Sequence, residues 1–166
     1  MFALARKTFK SMNGQKKTSK RGFLFALVFD PNLKVHVLIE KMRKTKSHLM
    51  KLYYSCKIHR CYNLVISPYC SIGNNVKFPH PIGIVIGRDA VIGDNCTIFQ
   101  NVTIGQKKEK FPHIGNNVTI YSGAQIIGDI YIGNNVTIGA NAVVLNSIPD
   151  YSIAVGIPAK VIKPKD

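Results

Sequence analysis

The sequence predicts a mainly β protein built as a solenoid of short stacked strands, with a short helical and basic region ahead of it. Three observations carry this. An apolar residue recurs every six positions from Ile66 to Val144. The motif Ile-Gly-Asn-Asn-Val occurs at Ile72, Ile114 and Ile132, with Ile-Gly-Asp-Asn-Cys at Ile92. Almost all of the surplus positive charge lies before residue 61: residues 1–60 hold 15 Lys/Arg and 2 Asp/Glu, and residues 61–166 hold 8 and 6.

The period has a physical meaning. A helix repeats every 3.6 residues and a free strand every 2, so six suits one short strand plus one turn. The lead residues are Ile66, Ile72, Phe78, then Ile86, Ile92, Ile98, Ile104, then Ile114, Ile120, Ile126, Ile132, Ile138 and Val144. Each points inward and stacks on its equivalents in neighbouring coils. The fifth position is small or aliphatic (Cys70, Val76, Ile82, Ala90, Cys96, Val102, Val118, Ala124, Ile130, Val136, Ala142) and also faces inward. Gly, Asn-Asn and Asp-Asn supply turn conformations that other residues adopt only with strain. Stacking buries a continuous core that no single repeat buries alone. Cys70 and Cys96 fall at the fifth position and read as small core residues, not nucleophiles.

Residues 1–29 read as a basic and apolar arm, 30–60 as a short helical region, 61–147 as the repeat, and 148–166 as a tail. Asp30 is a natural N-cap with Pro31 at the first helical position, and Leu33, Val37 and Met42 lie near one face. Ser47 caps a second helix expected to run to about Lys57, with Leu49, Leu52, Tyr53 and Cys56 inward. Phe23, Phe25 and Phe29 beside so much Lys/Arg suit either an anionic membrane surface or packing on the first coil or a neighbouring subunit. The 166 residues make one domain, 46% apolar. The longest apolar window, from Gly22 to Phe29, is far short of the ~18 residues of a membrane span, and no small-x-small cleavage site follows it. The four cysteines form no C-x-x-C pair, which points to a reduced, cytoplasmic set. No nucleic-acid-binding motif accompanies the charge.

The frame breaks twice. Phe78 to Ile86 is two residues too long and Ile104 to Ile114 four too long. Surplus residues in a tight solenoid must leave it as loops, and loops on a rigid scaffold tend to carry function. Each break holds one histidine, His80 in Phe-Pro-His-Pro-Ile-Gly and His113 in Lys-Phe-Pro-His-Ile-Gly, and the repeat has no others.

This repeat resembles the hexapeptide-repeat acyltransferases, which form a left-handed parallel β-helix with three units per coil. The resemblance covers residues 60–163 and implies about four coils. The hand comes from the resemblance alone, since general topology favours right-handed crossovers. FPHPIGIVIGRDAVIGDNCTIFQNVTIG, the basic loop, PHIGNNV and the terminal VGIPAKVI resemble the serine acetyltransferase branch. Within it they look most similar to short variants of capsule and exopolysaccharide biosynthesis. The resemblance implies acetyl-CoA as donor, no metal, and a homotrimer whose CoA groove lies between subunits. It implies His80 as general base and His113 as a second histidine near acceptor or thioester. It places Gly105, Ser122 and Ala140 at CoA-contacting turns and Lys160 near the CoA phosphates.

Three departures bear on the acceptor. The branch carries an aspartate fifteen residues before the catalytic histidine, another just before it, and an arginine beside the loop histidine. Here those positions are Val65, Pro79 and Pro112. A zwitterionic amino acid needs partners for both its charges, because unpaired buried charge is costly. The expectation from sequence is therefore an O-acetyltransferase acting on a sugar or polysaccharide intermediate, with serine O-acetylation as the alternative. From a different class come a zinc carbonic anhydrase, which needs three interface histidines, and a non-catalytic scaffold.

Overall fold

The computed structural model describes residues 30–164 together with Arg6 and Phe9. The arm carrying Phe23, Phe25 and Phe29 lies outside the described residues. Within residues 30–164, two helices, α1 (Pro31–Lys44) and α2 (His48–Tyr62), precede fourteen short strands. Most strands are two residues long, and all their pairings are parallel except the last. They form three sheets, the three sides of a prism. Sheet A holds β1 (Val65–Ile66), β3 (Val85–Ile86), β6 (Thr103–Gly105), β9 (Gln125–Ile127) and β12 (Val143–Val144). Sheet B holds β2 (Ser71–Ile72), β4 (Val91–Ile92), β7 (His113–Ile114) and β10 (Tyr131–Ile132). Sheet C holds β5 (Thr97–Ile98), β8 (Thr119–Ile120), β11 (Thr137–Ile138), β13 (Ser152–Val155) and the antiparallel β14 (Lys160–Pro164). The result is a parallel β-solenoid of about four turns.

The lead residues behave as the period requires. In sheet A, Ile66, Ile86, Ile104, Ile126 and Val144 stand in register, one above the next, and all are buried. Each such side chain contributes roughly 1.5–3 kcal/mol by leaving water. The Asn-Asn motif is explained by a ladder along one corner. The backbone N–H groups of Asp94, Asn116 and Asn134 donate to the side-chain oxygens of Asn116, Asn134 and Asp150, each at 2.8 Å. The second asparagine takes the left-handed conformation, with φ 55–58° at Asn75, Asn95, Asn117 and Asn135, which asparagine tolerates better than most residues.

The helices close the first coil. A solenoid end leaves backbone groups pointing where no coil follows, and buried ones must find partners. Two side chains supply them: the Ser55 hydroxyl donates to the Ile66 carbonyl in sheet A (2.7 Å), and the Phe78 N–H at the head of sheet C donates to His36 Nε2 (3.0 Å). Beside sheet B the tie is between side chains, Arg43 Nη1 donating to the Asn74 amide oxygen (3.0 Å).

Two expectations need correction. α2 presents Ser55, Ile58 and Tyr62 to the coil, not Leu49, Leu52, Tyr53 and Cys56, which are exposed. The inward face buries Ile58 and packs Tyr54 and Tyr62 on the core, and it brings the Ser55 hydroxyl to the Ile66 carbonyl. The helix also continues to Tyr62, where Asn63 ends it with φ 53°. Ile82 is 61% exposed and does not face inward like the other fifth-position residues, because the first frame break lifts that segment off the coil. Asp30 does cap α1, accepting from Leu33 N–H at 3.4 Å. Among the described residues no helix is long and apolar enough to cross a membrane.

Candidate active site

His80 lies in the loop that turns from sheet C to sheet A in the first coil. Pro79 and Pro81 flank it and stiffen it. The loop ends at Gly83, whose φ of 65° suits glycine; a Cβ there would also run into the Asn101 side chain. The imidazole is exposed, with its ring 6.4 Å from that of Phe99 and tilted by 46°. Phe99 in turn stacks on Tyr121 at 5.2 Å and 12°.

The same edge of the prism carries three more of the expected residues. Hydrogen bonds from Asn101 N–H to Ile82 O, Gly123 N–H to Gln100 O and Asn141 N–H to Ser122 O align Ile82, Gln100, Ser122 and Ala140 in one column. Lys160 pairs with Val155 at the end of sheet C, on the same edge one coil further on. With ~4.8 Å between neighbouring strands, the column from Ile82 through Gln100, Ser122, Ala140 and Val155 to Lys160 runs about 24 Å. Gly105 and His113 are elsewhere. Gly105 ends β6 at the opposite border of sheet A, where the second frame break begins. His113 is exposed on β7, between Val91 and Tyr131 in sheet B. Within one chain, then, the two histidines stand on different sides of the prism.

Sequence reasoning missed several residues here. Phe99 and Tyr121 follow lead residues, in the place where seven other units have glycine; an aromatic there was the available signal. The buried amide oxygen of Gln100 has no hydrogen-bond partner among the described residues. A cleft of about 660 Å³ opens where α2 meets the His80 loop, lined among others by His59, Arg60, Asn63, Pro81 and Ile82. No motif marks it, because it joins segments twenty residues apart. Cys70 and Cys96 sit in the wall of the coil, and burial pushes the Cys70 thiol up to about 12 and raises that of Cys96. Among the described residues no group of three or more His, Cys, Asp or Glu stands together to hold a metal ion.

Residues 111–146 match the family model "Bacterial transferase hexapeptide (six repeats)". A serine acetyltransferase of Staphylococcus xylosus is 40% identical over 132 residues, 77% of this chain and 61% of that protein. This is a hexapeptide-repeat β-helix of the serine acetyltransferase type. A serine acetyltransferase structure in complex with CoA matches this β-helix with a TM-score of 0.80 and 28% identity, covering 96% of this chain and 68% of the other. Soybean serine acetyltransferase complexed with serine matches it at 0.78 and 28%, with the same coverage. The chain thus spans 61% of the length of its staphylococcal relative.

These findings overturn the expected sugar acceptor, and they give no support to the capsule-biosynthesis branch. Val65, Pro79 and Pro112 carry no charge at their own positions. A charge is needed at a place in space, not at a place in the sequence, and Arg60 lines the cleft beside the His80 loop.

Proposed function

We propose that the chain transfers the acetyl group of acetyl-CoA to the hydroxyl of L-serine, with His80 as general base. The observation that carries this is the placement of His80 at the head of an edge that leads past Ser122 and Ala140 to Lys160, in a β-helix of the serine acetyltransferase type. His80 takes the hydroxyl proton as the oxygen attacks the thioester carbonyl. The carbon–sulfur bond then breaks, and the departing thiolate takes the proton from the imidazolium. Such a base contributes about 10²–10⁴-fold. An edge of about 24 Å suits a donor with a thioester at one end and phosphates at the other. Ser122 and Ala140 offer backbone groups to the pantetheine arm, Gly105 does so from the facing border of a neighbouring copy, and Lys160 offers charge to the phosphates. Arg60 in the neighbouring cleft suits the acceptor carboxylate.

A homotrimer completes the site in this reading. His113 lies on sheet B, away from His80 in its own chain, and a neighbouring copy would bring it to the His80 edge. The exposed Ile82, Tyr121 and Tyr131 give that contact apolar surface.

The test is thiol release from acetyl-CoA with L-serine, alongside His80→Ala and sedimentation equilibrium. Turnover that the variant loses, from a trimer, is the expected result. No turnover with L-serine, or full turnover in His80→Ala, would overturn the reading, and a stable monomer at micromolar concentration would remove the role given to His113.

A further inference from the structure

We infer that His36, on α1, is the positioning residue of the His80 loop. The inference rests on the reading of His80 as general base. Both backbone groups of Lys77 face the second coil: its N–H donates to Cys96 O (2.8 Å) and its carbonyl accepts from Ile98 N–H (2.9 Å). The next residue, Phe78, must therefore turn its N–H the other way, toward the open end of the solenoid, where no strand can accept it. His36 Nε2 accepts it at 3.0 Å, in a buried setting, and the two rings lie 5.6 Å apart. The imidazole is only 6% exposed. To accept there, Nε2 must be unprotonated.

This contact matters because the loop that follows has few other holds. Pro79 and Pro81 have no N–H to donate. On its far side the ties among the described residues are between backbone groups: Ile82 N–H to His80 O (2.8 Å) within the loop, then Gly83 N–H to Asn63 O (3.2 Å) and Asn101 N–H to Ile82 O (2.9 Å). On the near side, His36 is the side chain that grips the backbone two residues before His80. α1 is thus part of the machinery that aims the base, and not only a cover for the core. A displacement of about 1 Å can cost on the order of 10²-fold in rate.

The experiment compares variants at His36 in the full chain. His36→Phe keeps the ring volume and removes the acceptor. His36→Gln restores an acceptor at similar reach, and His36→Asn holds one too short to reach the Phe78 N–H. Two signals are read: the imidazole NMR resonances of His80, and kcat with KM for acetyl-CoA. Expected are shifted His80 resonances in the Phe and Asn variants, close to wild type in Gln. A kcat tenfold or more lower should accompany them, with KM changed less than twofold, and Gln should recover most of the loss. If His36→Phe does not fold, the Gln and Asn pair decides. His80 resonances unmoved in every folded variant, or equal losses in Gln and Asn, would overturn the inference. Failure of the wild type to acetylate L-serine would strike the proposed function instead, and the His80 resonances would still test His36.

Discussion

The two frame breaks look alike in sequence and are built in opposite ways. Each adds residues to the six-residue period, and each contains a Phe-Pro-His run. The first is held on both sides. Phe78 is tied to His36, Gly83 to Asn63, Ile82 to Asn101, and Pro81 is buried. The second rises from the coil, between Gly105 and Pro112, as a hairpin whose ends bond to each other, Lys107 and Lys110, at 3.0 and 3.2 Å. Gln106 to Lys110 are all exposed, and Lys108 and Glu109 have positive φ. The chain returns to the coil at Phe111, whose ring packs where Gly87 leaves room. The difference lies in the surroundings. The first break occurs at the solenoid end, where the helices supply partners. The second occurs mid-stack, where the coils above and below already satisfy one another and the extra residues can only go outward.

This contrast can be tested from its largest effect downward. His80→Ala should lower kcat by about 10²–10⁴-fold, whereas Lys108→Ala on the exposed hairpin should change it less than threefold. Steady-state assays of both decide whether the pinned break is the catalytic one. Ile120→Ala in the sheet C stack should cost ~2–5 kcal/mol of unfolding free energy. Leu49→Ala on the outer face of α2 should stay within ~0.5 kcal/mol. Denaturant titration separates them, and a large loss at Leu49 would mean that the face is covered in the assembled protein. Gly83→Ala should cost ~1–2 kcal/mol for the left-handed backbone alone, with a further penalty from Asn101. Glu109→Ala, in the exposed hairpin, should stay within ~0.5 kcal/mol.

The smallest effect concerns the thiols. Cys56 and Cys61 are exposed, while Cys70 and Cys96 line the coil and burial raises both thiols. A thiol held near 12 stays protonated where an ordinary one ionises. At pH 8 an alkylating reagent should label Cys56 and Cys61 in the native protein, and all four once it is unfolded. Because the native state holds these protons more tightly, their contribution to stability is intact below the ordinary thiol range and is lost as pH rises from there toward 12. Rapid native labelling of Cys70 would show that the first coil opens.

The sugar expectation shows where local reading fails. Val65, Pro79 and Pro112 are uncharged at their own positions, yet Arg60 comes to the cleft beside the His80 loop through the end of α2. Phe99 and Tyr121 were passed over because they occupy ordinary repeat positions; only stacking coil on coil puts them in line with His80. Ile82 was assigned inward by its place in the frame, and the loop next to it lifted it out.

The sequence by itself determined the solenoid, the register of its core and the two places where the coil must open. Those follow from a period that repeats thirteen times and from turn residues whose backbone preferences are local. Only the tertiary structure decided which break is held, that His80, Ser122, Ala140 and Lys160 share an edge while His113 does not, and that a histidine from α1 reaches the loop of His80. These depend on orphaned backbone groups at the solenoid end and on neighbours one coil away, some twenty residues distant along the chain, and a local pattern carries no record of them.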